Sequence, residues 1–188
     1  MNFIGVVLIF THPISQKPSI LFQVKKEDGF CIFEGKKLKS ESELESVKRI
    51  VAQNSFDIIE LNFGEDNGYN LKEKHQISDR YDVLVFENTT ELIQDLLANM
   101  HTVMVKEIEE DPDTVDIRGY ELMPVEVLEQ NHLFKLFKFS PKTKKIIGNL
   151  FTLKSTTENT TESTTESTTE DIIESTTKIT TEDIIELE

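Results

Sequence analysis

The segment FEGKKLKSESELESVKRIVAQN, residues 33–54, joins a short apolar run, a lysine-rich loop and an amphipathic helical pattern. Ser40 and Glu43 have the spacing of a capping box, in which two side chains satisfy backbone N–H groups at the start of a helix. One apolar face follows at helical spacing, formed by Leu44, Val47, Ile50 and Val51. The segment therefore predicts a loop followed by a helix over residues 41–54.

The residues before this segment predict β-strands. Two apolar runs, residues 3–10 and 19–24, are separated by a loop with Pro13 and Pro18, and a third short run covers residues 30–33. No cationic segment precedes the first run, and it is too short to cross a bilayer. It is therefore predicted to be a buried strand, and no membrane partner is expected.

The residues after this segment mix strands and helices irregularly. Strands are predicted over residues 57–63, 81–87, 103–109 and 120–123, with turns at 64–70 and 111–113. Helices are predicted from Thr89 or Thr90 to residue 100, for one turn after Pro124, and from Ser140-Pro141 onward, where Ile146, Ile147, Leu150 and Phe151 share one side. Because the alternation is not that of a doubly wound sheet, residues 1–154 are predicted to form one α+β domain with a mixed sheet flanked by helices.

From Ser155 onward the chain consists of tetrads such as STTE, NTTE, DIIE and STTK. Threonine is a poor helix former, and the few apolar residues do not offset the entropy of ordering, so residues 155–188 are predicted to be a disordered tail. Ten acidic residues against Lys178 give this tail -9 of the formal charge of -15. A spacer, a phosphorylation target and a binder of basic partners are its alternative roles.

The composition excludes several classes of protein. A chain with a net charge of -15 is not expected to coat nucleic acid non-specifically, because phosphate binding needs clustered Lys and Arg. The single cysteine, Cys31, allows neither an intramolecular disulfide nor a Cys-based zinc site. The four histidines have no partners at metal spacing, and no P-loop or Ser/Cys nucleophile motif occurs. A nucleotide site would therefore have to be a local basic patch.

The spacing within residues 33–56 resembles the signature of the Nudix family: Gly, five residues, Glu, seven residues, then Arg-Glu-hydrophobic-x-Glu-Glu-x-Gly. The retained positions are Gly35, Glu41, Arg49 and Val51. The departures are Ile50 for the Glu after the Arg, Gln53 and Asn54 for the Glu pair, and Phe56 for the closing Gly. Residues 119–128 and 140–143 are also similar to the late strand, proline turn and last helix of the family. The resemblance implies a Nudix-like fold over residues 1–154 with a degenerate box.

In the family, carboxylates on the box helix hold Mg²⁺, which orients water for hydrolysis of a diphosphate. Ile50 offers no ligand, and Gln53 and Asn54 are neutral, so no resident metal is predicted. The expected ligand-binding residues are Gly35, Lys36, Lys37 and Arg49, because lysines beside a helix N-terminus attract anions. The alternative is an exposed turn kept soluble by its lysines. Lys142, Lys144 and Lys145 form a second basic cluster, either a solvated helix face or an RNA track.

The leading hypothesis is a Nudix-like domain without metal-dependent hydrolysis, which binds a nucleotide-like ligand or a protein partner. The first alternative is a divergent hydrolase of nucleoside diphosphate linkages, such as the capped end of mRNA. It would use Mg²⁺ or Mn²⁺, with Glu41 as the catalytic residue and metal ligand and with Glu109 or Glu110 as a further ligand. The second alternative is an interaction protein whose tail makes the contacts.

The tetrad tract and the diverged domain together resemble proteins of large DNA viruses, several of which carry Nudix decapping enzymes. No secretory signal is recognised, and the single cysteine Cys31 suits a reducing compartment. The expected location is the cytoplasm, that of the host cell if the protein is viral.

Overall fold

The computed structural model describes residues 2–63, 68–88, 93–130 and 134–158, with side chains to residue 151. The strands are β1 (Asn2–Thr11), β2 (Pro18–Lys25), β3 (Gly29–Cys31), β4 (Phe33–Lys37), β5 (Tyr69–Ser78), β6 (Tyr81–Asn88) and β7 (Ile117–Pro124). The helices are α1 (Glu43–Asn54), α2 (Ile93–Glu110), α3 (Val125–Glu129) and α4 (Pro141–Glu158). The turn residues 64–67 and the proposed helix caps Thr89 and Thr90 lie outside the described residues.

The strands form one seven-stranded mixed sheet with the order β3-β2-β1-β6-β5. β1 runs parallel to β6 and antiparallel to its neighbours on the other side, with its first half paired to β4 and its second half to β2. β7 pairs with β2, and β5 forms the edge beside β6. The predicted α+β class with a mixed sheet is therefore confirmed.

Helices cover both faces of this sheet. Along β1, Ile4, Val6 and Leu8 pack with the apolar sides of α1 and α2. Val7 points the other way, into a second core with Ile146 and the rest of the apolar side of α4. This division follows from the alternation of side chains along a strand. It produces three layers, with the sheet in the middle.

The N-terminal cap of α1 lies two residues later than the sequence predicts. Ser42, not Ser40, is the cap: its hydroxyl accepts from the backbone N–H of Glu45, and the Glu45 carboxylate accepts from the backbone N–H of Ser42. Leu44, assigned to the apolar face, is 42% exposed. The later start leaves Glu41 ahead of the helix, where its side chain is free to fold back along the first turns.

Two predicted strands are wrong. Residues 57–63 form no strand, although Ile59 and Leu61 are buried; Phe63 makes only an isolated bridge to Tyr69. Residues 103–109 belong to α2, in which Met104 is buried. Apolar spacing in both segments reflects burial, and burial occurs in helices and irregular segments as well as in strands.

Strand β5 was missed by the sequence analysis, which assigned no element to residues 71–80. Most of its side chains are polar and at least partly exposed, so it lacks the apolar alternation that marks a strand. Its backbone is ordered by pairing with β6 along one edge. That hydrogen bonding is not visible in side-chain chemistry.

The remaining predicted elements are confirmed: the strands around residues 3–10, 19–24, 81–87 and 120–123, the helical turn after Pro124, and the last helix. α4 continues to Glu158, past the predicted domain boundary at residue 154. The rest of the predicted tail lies outside the described residues. In the described part of the chain, no helix combines the length and apolarity needed to cross a membrane.

Candidate functional site

Glu41 and Arg49 form a two-pronged ion pair at the start of α1. Arg49 Nε donates to Glu41 Oε1 at 2.8 Å, and Arg49 Nη2 donates to Glu41 Oε2 at 2.9 Å. The hydroxyl of Ser46 also donates to Glu41 Oε2, at 2.8 Å. Both carboxylate oxygens of Glu41 thus accept hydrogen bonds from side chains of α1.

Arg49 also connects α1 to β4, which includes Lys36 and Lys37 although the sequence predicts a loop there. Its Nη2 donates to the backbone carbonyl of Lys36 at 2.8 Å, and its Nη1 donates to the side-chain oxygen of Gln53 at 3.2 Å. The hydrogen bond from Arg49 is the main cause that lowers the pKa of Glu41 to about 2, with a further contribution from Ser46. Glu41 is therefore a carboxylate at neutral pH, held in place rather than available as a proton acceptor.

Gly35 and Ile50 account for the strand-to-helix packing below this pair. Ile50 is fully buried, and a Cβ on Gly35 would lie 2.8 Å from Ile50 Cγ1. Glycine at position 35 thus lets β4 approach α1 closely. The position at which the Nudix signature has its Glu after the Arg is filled here by an apolar side chain that the core requires.

The amide of Asn54 is directed towards the protein backbone. Asn54 Nδ2 donates to the carbonyl of Ile50 at 2.7 Å and to the carbonyl of Glu34 at 3.4 Å. The backbone carbonyl of Asn54 accepts from Gln23 Nε2 at 2.8 Å and from Tyr120 Oη at 2.7 Å. This end of α1 is therefore tied to β4, β2 and β7. The sequence analysis did not identify Gln23 or Tyr120, because their contacts are long-range.

The turn after α1 has the geometry of a Schellman cap. The N–H of Asp57 donates to the carbonyl of Ala52 at 2.8 Å, and Phe56 has a φ of 54°. Glycine is the usual residue at such a left-handed position. Phe56 occupies the place of the closing glycine of the Nudix signature, so the backbone conformation suited to glycine is present although the glycine is not.

Among the described residues, those of α1 and of the segment before it do not provide the ligands of a divalent metal ion. Mg²⁺ requires several oxygen ligands, most of them anionic or water. In the described part of the chain, no three His, Cys, Asp or Glu side chains come together where an ion could be held. Glu43 forms an ion pair with Lys74, and Glu45 is used in the helix cap. Glu41 is the carboxylate that remains at the box, and Arg49 already neutralises it.

Glu109 and Glu110, the proposed additional ligands, lie in the last turn of α2, where both are exposed. Glu110 forms an ion pair with Lys106 at 3.8 Å, one helical turn away. The described contacts of these two residues do not include Glu41. The helical conformation of residues 103–109 turns successive side chains in different directions, whereas the predicted strand would have placed alternate ones on a single face.

An open cleft of about 680 Å³ lies beside the box, and we call it the β4 cleft. It is lined by Asn2, Lys36, Lys37, Leu38, Lys39 and Glu41. Among the described residues, Lys36, Lys37 and Lys39 have no ion-pair partner. The cleft is therefore rimmed by three uncompensated positive charges in a chain that is acidic as a whole.

The predicted ligand-binding residues divide into two groups. Lys36 and Lys37 line the β4 cleft. Gly35 instead packs against Ile50, and Arg49 donates hydrogen bonds to Glu41 and to the carbonyl of Lys36. Asn2, which the sequence analysis did not identify, lines the cleft because β1 pairs with β4 and sets Asn2 opposite Lys37. No local sequence signal marks that residue.

No protein-family model and no curated protein sequence matches the chain. Solved structures with similarity include RenU, a Nudix hydrolase from M. smegmatis, with 8% identity, a TM-score of 0.48, and coverage of 82% of this chain and 86% of that one. The NUDIX domain of Shewanella oneidensis NrtR, complexed with ADP ribose, has 8% identity, a TM-score of 0.45, and coverage of 80% and 85%. The C. elegans Ap4A hydrolase has 11% identity, a TM-score of 0.37, and coverage of 71% and 92%. Because these identities and TM-scores are low, function has to be inferred from the geometry of this chain.

Proposed function

We propose that this chain is a Nudix-like domain that has lost metal-dependent hydrolysis and binds a nucleotide-like ligand through its phosphate groups in the β4 cleft. The proposal that the chain is a Nudix-like domain is supported by the strand-loop-helix unit of β4 and α1. Gly35 packs against α1, Arg49 donates to the backbone of β4 at Lys36, and the turn at Phe56 has a glycine-like conformation. These are the retained elements of the box.

The observation that carries the loss of catalysis is the state of Glu41. Its two oxygens accept three hydrogen bonds from Arg49 and Ser46, and Arg49 neutralises its charge, so a cation would have to compete with a charge-assisted pair. Ile50 cannot be a ligand, and the side-chain oxygen of Gln53 accepts a hydrogen bond from Arg49. A hydrolytic mechanism that depends on Mg²⁺ has no ligand set in this box.

The lysines of the β4 cleft support binding of an anion. Their charges are not compensated by neighbouring carboxylates, and a concave surface concentrates their field. The cleft volume of about 680 Å³ is within the range of small-molecule sites. A diphosphate needs either a metal ion or several cations to offset its charge, and Lys36, Lys37 and Lys39 supply the second.

Calorimetric titration of the full chain with ADP, in the presence of a chelator, tests this proposal. Saturable binding is expected, and Lys36→Gln combined with Lys37→Gln should weaken it about tenfold or more. Lys106→Gln is the matched control, because Lys106 is an exposed lysine on α2, away from the cleft. Equal affinity in the double variant and the wild type would eliminate the β4 cleft as the site.

A hydrolysis screen tests the catalytic half separately. Capped RNA and nucleoside diphosphate compounds are incubated with the full chain and Mg²⁺ or Mn²⁺. No turnover is expected. Turnover that disappears in the Glu41→Gln variant would overturn the non-catalytic assignment and establish the divergent hydrolase instead.

A further inference from the structure

A second concave surface lies on the α4 side of the sheet, between the β5–β6 turn and the start of α4. We call it the α4 pocket; its volume is about 470 Å³. It is lined by Phe3, Ile77, Ser78, Arg80, Tyr81, Lys142, Lys145 and Ile146. It shares no lining residue with the β4 cleft. Its volume is that of a small-molecule site.

One wall of the α4 pocket is apolar and rigid. Tyr81 is 7% exposed and Ile146 is 1% exposed, and both belong to the core under α4. Phe3 and Ile77 pack against that core while remaining partly accessible. Gly5 makes room for the Tyr81 ring, since a Cβ on Gly5 would lie 2.6 Å from the Tyr81 hydroxyl. The apolar wall is therefore built into the fold.

Lys142 is held across this wall. Its Nζ lies 4.1 Å from the centre of the Tyr81 ring, 5.1 Å from that of Phe3 and 2.6 Å from Glu34 Oε2. The Tyr81 hydroxyl donates to the same carboxylate oxygen at 3.0 Å. Glu34 thus compensates the charge of Lys142 and restricts its position.

Arg80 and Lys145 have no such compensation. Both side chains are exposed, and within the described residues neither has an ion-pair partner. Of the described residues, none that lines the pocket is acidic. The N–H of Phe3 donates to the carbonyl of Arg80 at 2.8 Å, which ties the turn carrying Arg80 to β1. Two free cations next to a low-dielectric apolar wall attract an anion more strongly than cations surrounded by water.

We propose that the α4 pocket binds a soluble phosphate monoester, with the phosphate on Arg80 and Lys145 and the organic group against Phe3 and Ile77. The guanidinium fork of Arg80 matches two phosphate oxygens, and Lys145 adds a point charge. Tyr81 is buried, and Lys142 lies over its ring as well as over that of Phe3, so the apolar area that remains partly accessible belongs to Phe3 and Ile77. This site is independent of the nucleotide-binding proposal for the β4 cleft.

Titration of the full chain with phenyl phosphate, followed by calorimetry, tests the proposal. Binding is expected to saturate, and Arg80→Gln combined with Lys145→Gln should weaken it about tenfold or more, because two charged contacts to the phosphate are lost. Lys106→Gln combined with Lys135→Gln is the control and should leave the affinity unchanged, because both lysines are exposed and neither lines the α4 pocket or the β4 cleft. Since the substituted side chains are exposed in both variants, unchanged melting temperatures are expected to show that both remain folded.

Titrations with inorganic phosphate and with phenol measure separately what the phosphate and the ring contribute to binding. Phenyl phosphate should bind more tightly than either, because only the ester occupies both the cations and the apolar wall. Absence of saturable binding, or undiminished binding by the Arg80/Lys145 variant, would refute the site. Inorganic phosphate binding as tightly as the ester would refute the role of Phe3 and Ile77. Loss of binding in the Lys36/Lys37 variant alone would relocate the ester to the β4 cleft and overturn the proposal.

Discussion

Arg49 donates hydrogen bonds to both carboxylate oxygens of Glu41, at 2.8 Å and 2.9 Å. The two residues are 8 positions apart in the sequence, and the N-terminal cap of α1 lies between them. The same guanidinium donates to the carbonyl of Lys36, so one side chain connects β4, the residue ahead of α1 and α1 itself. A carboxylate in this state stabilises the protein, and a metal ion would have to compete with the guanidinium for it. The first prediction follows from this pair.

Glu41→Gln should destabilise the protein at neutral pH, and the difference from the wild type should depend on pH. The folded-state pKa of Glu41 is lowered from about 4.5 to about 2, so the ionised pair adds stability that is fully present above about 4.5. The added stability is lost as the pH falls towards 2, and less than half of it remains at about pH 3. Urea unfolding of both proteins at pH 7 and pH 3 measures the difference. A difference independent of pH would contradict the assigned role of the ion pair.

Gly35→Ala should destabilise the fold by about 1–3 kcal/mol, because the new Cβ meets the buried Ile50 side chain. In an Ile50→Ala background the same substitution should cost little, since the atoms that obstruct the Cβ have been removed. Denaturant unfolding of the four proteins of this cycle measures the coupling. Gly148→Ala on α4 is the control: no atom lies within 4 Å of its Cβ position, and a gain of up to about 1 kcal/mol is expected there. Independent effects of the substitutions at positions 35 and 50 would exclude the steric explanation.

Phe56→Gly should be more stable than Phe56→Ala by about 1 kcal/mol, because residue 56 has a left-handed φ of 54°. Both variants lose the same ring contact with Tyr120, so the comparison isolates the backbone. At position 52, inside α1, alanine should instead be more stable than glycine, and Ala52→Gly should cost about 1 kcal/mol. Thermal unfolding with equal heating rates compares the set. Alanine being the more stable residue at position 56 would show that the Schellman turn does not form.

Addition of Mg²⁺ should leave the thermal stability of the full chain unchanged. A site with a Kd of ~0.1 mM would stabilise the folded state by about 2.7 kcal/mol at ~10 mM Mg²⁺. No such gain is expected, because Arg49 neutralises Glu41 and Ile50 replaces the next carboxylate of the signature. Melting curves in chelator and in Mg²⁺ provide the measurement. A shift that Glu41→Gln removes would identify a metal site in the box.

Local patterns predicted the parts of the fold in which burial coincides with one type of secondary structure. The apolar runs of β1 and β6 are strands, and the spacing of Val47, Ile50 and Val51 is that of a buried helix face. The prediction failed where apolar residues are buried in a segment that does not have the predicted type of secondary structure. Ile59 is buried without a strand, and Met104 is buried in a helix that had been predicted as a strand.

The same distinction applies to the candidate site. The resemblance to the Nudix signature singled out Glu41 and Arg49, and the run of lysines predicted Lys36 and Lys37 as a basic loop, since these residues are close along the chain. It did not identify Asn2, which reaches the β4 cleft through pairing of β1 with β4. Nor did it separate Lys142, compensated by Glu34, from Lys145, which lines the α4 pocket without such a partner.

The sequence by itself determined that Ile50, Gln53 and Asn54 stand at the positions where the Nudix signature has carboxylates, because residue identities decide which oxygens exist. Only the tertiary structure decided which groups pair with the carboxylate of Glu41. Shifting the helix cap to Ser42 left Glu41 outside the helix, and its oxygens then met Arg49 and Ser46. Ligand chemistry is a property of single residues, whereas the pairing of a charge depends on which other charges the fold brings within hydrogen-bonding distance.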